Sequence, residues 1–370
     1  MKSILKAMAL IMCAVLLLSI TGCNKQPEET TLIQQSTETS STQQTESSAT
    51  TTEDTEETEE TDPVPQTTKP LVFSEGLNFE AIDKTTAKVT GLGTCTDMDI
   101  VIPEETPKGL TVVEIADKAF YESKITSVII PESVTRIGNG AFRYCTDLES
   151  VKLYDRVSDI GTYAFSNCLN LTYFEMPGAL TKISTGMFMG CLSLKSIAIP
   201  DSVTAIGSYA FRDCESLSHI DIPEGAETIG EAAFERCKSL VFVKVPESVT
   251  DLGYHAFASS GIESVQLACR GITPQSFYRC KKLRKIVIDP TVIRIECCAF
   301  SECESLTALI IPDTVEWIDI AAFSNCKALS TVVVPEYIVG SNKSEVFGGC
   351  SGIITINGKA PKDYFDNWVY

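Results

Sequence analysis

Apolar residues recur along this chain at a long, regular interval. One phenylalanine marks each unit: Phe120, Phe142, Phe165, Phe188, Phe211, Phe234, Phe257, Phe277, Phe300, Phe323 and Phe347, most of them 23 residues apart. A unit this short cannot bury its apolar face alone, so neighbouring units must stack and the chain is a solenoid.

Within a unit the pattern changes twice. Leu148-Glu-Ser-Val151-Lys-Leu153 ends in strict alternation, as do Leu194 to Ile199, Leu240 to Val245 and Leu306 to Ile311. Alternation predicts a strand with one buried face. A proline usually follows (Pro131, Pro177, Pro200, Pro223, Pro246, Pro290, Pro312, Pro335) and ends the strand, because it has no N–H for a ladder. A second apolar pair such as Val203 and Ile206 comes next, then often a glycine: Gly138, Gly161, Gly207, Gly230 or Gly253. The expectation for that glycine is a corner with positive φ. Ala-Phe and a cysteine slot then lead, through an expected short helical turn, into the next strand. The fold class is a β-rich repeat solenoid.

The run Ile206-Gly-Ser-Tyr-Ala210-Phe211-Arg-Asp-Cys214-Glu-Ser-Leu217-Ser-His-Ile220-Asp-Ile222-Pro223 resembles the BspA-like bacterial leucine-rich repeat family. The resemblance covers roughly 110–357, about 11 repeats. It implies a curved leucine-rich-repeat superhelix with one short parallel strand per coil. It also implies a secreted or surface-attached protein, adhesins among them, with no ligand common to the family.

The remainder of the chain divides by composition. Lys2 and Lys6 precede an apolar run from Ala7 to Ile20, the order of a signal peptide. Ile20-Thr-Gly-Cys23 resembles a bacterial lipobox, which implies removal of 1–22 and a lipid anchor to the membrane on Cys23. Residues 24–70 are Thr, Ser, Gln and Glu with almost no apolar side chains, and such a segment stays disordered. As a flexible coil it reaches about 35–40 Å, a tether between anchor and folded part. Residues 71–109 carry short strand-like runs and resemble the family's N-terminal cap. At the other end, 358–370 holds Tyr364, Phe365, Trp368 and Tyr370, suited to cover the last coil. The repeat is irregular at 258–276, where Phe257 and Phe277 are only 20 residues apart, so a local change of curvature is expected there.

Charge narrows the partner class. The tether has eleven acidic and two basic residues, net −9, and 71–370 has 38 acidic and 26 basic, net −12. An acidic domain argues against nucleic acid. One local basic run departs from this: Arg279, Lys281, Lys282, Arg284 and Lys285, with Arg270 a coil away. It is a candidate for anionic polymers; the other reading is a solvated edge balancing nearby acids.

Cys145, Cys168, Cys191, Cys214, Cys237, Cys280, Cys303, Cys326 and Cys350 share one inward slot of the repeat. Coils stack near 4.8 Å, wider than the roughly 3.8 Å between Cβ atoms in a disulfide, so free thiols are expected. Cys297-Cys298 is a vicinal pair with no Cys-x-x-Cys or histidine partner, too weak a pattern for a metal site.

No catalytic residue is assigned. The only histidines are His219 and His255, and neither has the nucleophile and oxyanion hole a triad needs. No phosphate-loop, dinucleotide or calcium motif is present, so no cofactor is expected. The outward strand positions are instead the candidate binding surface. In the central coils they include Tyr173, Glu175, His219, Asp221, Phe242 and Lys244; in the last coils Val287, Ile310 and Val333 form an apolar stripe. The expected function is a cell-surface, adhesin-like binding protein for an extracellular or host protein. Recognition of a glycan or cell-wall polysaccharide, and self-association, are the alternatives.

Overall fold

The computed structural model describes residues 72–335, 346–350 and 355–356. The expected signal peptide, Cys23, the tether and the C-terminal cap lie outside the described residues. Those described form 21 short strands and no helix.

Most described coils contribute two strands where one was expected, and the coils of Tyr173, Ser196 and His219 keep the first ladder by isolated parallel bridges, so two parallel ladders run along the solenoid. The first contains Asp99–Val101, Ser127–Ile129 and Ser150–Lys152, and further on Phe242–Val245, Ser264–Leu267 and Lys285–Ile288. The second contains two-residue strands at the glycine corner, such as Lys182–Ile183, Ala205–Ile206, Thr228–Ile229 and Asp251–Leu252. The Pro-terminated alternation makes the first ladder; the Val203/Ile206 pattern makes the second. At the N-terminal end Asn78–Ala81 pairs antiparallel with Thr86–Gly91, which then pairs in parallel with Thr111–Ile115. The second ladder is interrupted between Asp251–Leu252 and Gly271–Ile272, within the irregular repeat, while the first continues through it. The three missing residues are therefore absorbed on one side only.

Between the ladders and the turn runs the core. The phenylalanines stack ring on ring, with centroids 5.1 Å apart for Phe120–Phe142 and 5.2 Å for Phe211–Phe234. Phe174 stands where other coils carry an aliphatic residue, wedged edge-on at 4.9 Å to both Phe165 and Phe188. Those two rings are correspondingly spread to 5.8 Å.

The expected helical turn is instead a series of tight turns. Residues two before and two after each repeat phenylalanine from Phe120 to Phe323 are left-handed: Tyr209 and Asp213 (both φ 60°) around Phe211, Tyr163 (φ 55°) and Asn167 (φ 60°) around Phe165. Alternating handedness turns backbone donors toward the next coil instead of back along a helix. Phe142 N–H thus donates to Ala164 O at 2.8 Å and Tyr144 N–H to Ser166 O at 2.9 Å.

The corner glycines do not have the positive φ expected of them. Gly138, Gly161, Gly207, Gly230 and Gly253 are glycine because the preceding coil runs too close. A Cβ on Gly207 would lie 2.7 Å from Thr185 N, and one on Gly230 2.3 Å from Ser208 N. A further coil-to-coil bond was not legible: the hydroxyls two residues after the proline slot donate backward, Ser202 to Leu180 O at 2.6 Å and Ser248 to Ala226 O at 2.7 Å.

The cysteine slot is unbridged and buried, except at Cys350, which is half-buried. Each thiol donates to the phenylalanine carbonyl of the coil before: Cys191 to Phe165 O at 3.2 Å, Cys214 to Phe188 O at 3.1 Å, Cys237 to Phe211 O at 3.2 Å. Burial pushes the Cys145 and Cys280 thiols up to about 11 and those of Cys191 and Cys326 to about 12. Because folding raises these values, the unfolded chain loses thiol protons first. The stabilisation is complete below the unfolded value near pH 8.5 and is lost as pH rises through the folded values. The expected result is a denaturation midpoint that falls steadily above about pH 9. In maleimide labelling at neutral pH these thiols should react only on unfolding, and labelling at the rate of a free cysteine would contradict the assignment.

Candidate functional surface

The first ladder carries the surface. Phe174, Ile197, Ile220 and Val243 point into the core. Alternation therefore sends their neighbours outward, and Tyr173, Glu175, His219, Asp221, Phe242 and Lys244 are all exposed. Parallel bridges align Tyr173 with Ser196 and Ser196 with His219. The same outward column holds Phe242, which pairs with Ser264, and Ser264 with Lys285. Tyr173 keeps 59% of its surface accessible and Phe242 41%, large values for aromatics on a strand face. The adjacent column is charged. Asp221 takes a hydrogen bond from His219 Nε2 at 3.0 Å, and Lys244 Nζ pairs with Glu224 at 2.5 Å. Aromatic faces flanked by both signs of charge, on a rigid ladder, can take up a partner's apolar and polar groups together.

The other candidates fare differently. Val287, Ile310 and Val333 are half-buried, so the apolar stripe is shallower than alternation implied. The basic run is partly paired with acids of the next coil. Arg279 Nε lies 2.9 Å from Glu302, and Lys281 and Lys327 share Glu304, each at 3.2 Å. Those ammonium groups hold Glu304 below the usual carboxylate range. Lys285 sits half-buried in the strand column with Phe242, while Arg270, Lys282 and Arg284 are exposed. Asp213 and Glu215 likewise face Arg236 and Lys238 of the next coil, at 3.4 and 2.5 Å.

An arginine–tyrosine array along the turn was missed. The Arg143 guanidinium lies between the rings of Tyr144 and Tyr163, 4.9 Å from each, and Arg279 lies 4.9 Å from Tyr278. The available signal was the placement of tyrosines within two residues of the repeat phenylalanine. His255 bonds to Gln275 and lies against Tyr254 at 4.1 Å, packed into the turn.

The family model for the BspA type leucine rich repeat region matches residues 113–223, 158–272 and 270–368, six copies in all. The chain belongs to the BspA type leucine-rich repeat family. Among solved structures, this BspA-type chain is similar to a leucine-rich repeat protein of T. pallidum: 32% identity, covering 52% of this chain and 83% of that one, TM-score 0.42. It is also similar to the pneumococcal vaccine antigen PcpA (20%, covering 79% and 88%, TM-score 0.48). A third is a leucine-rich repeat protein from Bacteroides ovatus (22%, covering 76% and 92%, TM-score 0.45). No curated protein matches the chain. Among the described residues of this BspA-type solenoid, no three His, Cys, Asp or Glu side chains gather as metal ligands, and no helix is long and apolar enough to cross a membrane.

Proposed function

We propose that this BspA-type chain is an extracytoplasmic, lipid-anchored binding protein that presents its strand face to an extracellular or host protein. The observation that carries the reading is the exposed column of Tyr173, His219 and Phe242 beside Glu175, Asp221 and Lys244. Large aromatics on a preordered surface lose little entropy on binding and recur as the residues that dominate interface energy. The address rests on the sequence: the signal-like Lys2 to Ile20, lipidation at Cys23 and a tether of net −9. Anionic polysaccharide is the weaker alternative, because Arg279 and Lys281 are already paired with Glu302 and Glu304.

The test is a binding screen of the purified chain on immobilised extracellular-matrix proteins and polysaccharides, at low and moderate salt. The expected hit is a protein, retained at moderate salt. Tyr173→Ala with Phe242→Ala should weaken it by roughly 10- to 100-fold. Unchanged binding by that double variant would remove the site assignment. Retention only on anionic polymers, lost with salt, would move the site to the exposed Arg270, Lys282 and Arg284.

A further inference from the structure

Cys297 and Cys298 occupy the two positions before Ala299-Phe300, which in other coils hold Thr162-Tyr163, Ser208-Tyr209 or Tyr254-His255. The second position is left-handed in every such turn among the described residues, and Cys298 has φ 55°. Neighbouring coils pin the backbone on both sides. Gln275 N–H donates to Cys297 O at 3.0 Å and Cys298 N–H to Ile320 O at 3.2 Å. Two thiols are thus held on one rigid turn, with Cys297 Sγ 3.3 Å from Cys298 Sγ. Both are half-buried and reachable from solvent. The slot cysteines differ on each count: Cys303, five residues on, is fully buried and gives its S–H to Phe277 O at 3.4 Å.

The separation discriminates between possible uses. A direct disulfide suits Cα atoms at least about 4.4 Å apart, and adjacent residues across a trans peptide are only about 3.8 Å apart. A single bridging atom fits better. With thiolate bonds of about 2.3 Å, a tetrahedral centre needs sulfurs about 3.8 Å apart and a linear one about 4.6 Å. At the same bond length, the observed 3.3 Å corresponds to an angle of about 92°. A near-right angle belongs to a trivalent, pyramidal centre that keeps a lone pair.

We propose that Cys297 and Cys298 chelate a trivalent pyramidal thiophile of the arsenous acid class. Two As–S bonds form and two As–O bonds break. Each thiol proton leaves with a hydroxide as water, and no atom changes oxidation state. Zinc, by contrast, needs thiolates. Burial and the neighbouring Cys297 push the Cys298 thiol up to about 11, which disfavours that route. The site is independent of the strand-face binding surface.

The experiment is intact-mass titration of the full chain with phenylarsine oxide, whose oxygen leaves with both thiol protons as one water. One adduct per chain is expected, released by a competing small dithiol. Cys297→Ser and Cys298→Ser should each lower apparent affinity about 100-fold or more, because the second attachment is no longer intramolecular. Cys95→Ser should leave it unchanged. Maleimide mapping of the wild-type adduct should show protection at 297 and 298, which keeps the test valid if a serine variant folds poorly. Wild-type affinity in either serine variant, or protection mapping to other thiols, overturns the proposal.

Discussion

Phe211→Ala is expected to destabilise the solenoid by about 3–5 kcal/mol, among the largest costs any single side chain here can produce. The ring is fully buried and stacked at 5.6 Å on Phe188 and 5.2 Å on Phe234. Its removal takes away apolar area and two ring contacts, and the gap cannot close, because both neighbours are held by their own coils. The coils on either side then cohere through the ladders, the turn hydrogen bonds and the cysteine-slot bonds, without the aromatic stack. In a quasi-one-dimensional molecule, stability is a sum over units and their nearest-neighbour interfaces. A weakened interface in mid-array should therefore broaden or split the unfolding transition as well as lower its midpoint. Chemical denaturation followed by circular dichroism reads both. Phe242→Ala is the control: the same residue type, but 41% exposed on the strand face, expected to change stability by less than about 0.5 kcal/mol. Equal effects of the two substitutions would refute the spine as the main source of coil-to-coil cohesion.

What the sequence discloses here depends on whether a feature repeats within a coil or between coils. The phenylalanine slot, the buried cysteines and the outward placement of Tyr173, His219 and Phe242 follow from residue type and alternation alone, and the structure has them so. The second ladder was hidden because two residues at a corner carry no period-2 signal. The turn was misread as helical because Ala-Phe-x-x-Cys fits helical spacing as well as it fits two left-handed residues around a phenylalanine. Only the hydrogen bonds to the next coil separate the two. The ion pairs were legible in principle. Arg279 and Lys281 stand one 23-residue period before Glu302 and Glu304, and same-slot residues one period apart become neighbours. The reading of this run as an edge balancing nearby acids therefore holds for Arg279 and Lys281.

The corner glycines offer the sharpest test of how closely the coils approach. Gly230→Ala is expected to cost about 3 kcal/mol, because its Cβ would stand 2.3 Å from Ser208 N and 2.7 Å from Gly207 C. Both are backbone atoms, and no rotamer change relieves the contact. The second ladder must open between Ala205–Ile206 and Thr228–Ile229, and that strains the bond from Gly230 N to Ile206 O at 2.7 Å. Gly225→Ala, five residues earlier, is the matched control. Its Cβ would meet nothing nearer than Asp201 O at 3.9 Å, so the loss of unfolded-state freedom should leave it neutral or stabilised by about 0.4–1 kcal/mol. Two explanations of the glycine pattern part at this comparison. If these corners needed a left-handed backbone, alanine would be penalised through φ, and widening the coil spacing nearby would not help. If close approach is the cause, as the negative φ values indicate, relieving the neighbouring coil should rescue the variant. Hydrogen exchange on Gly230→Ala should accordingly show lost protection confined to the second-ladder amides of coils flanking Ser208. Uniform loss along the solenoid, or a Gly225→Ala cost equal to that of Gly230→Ala, would show that the penalty is not steric contact between coils.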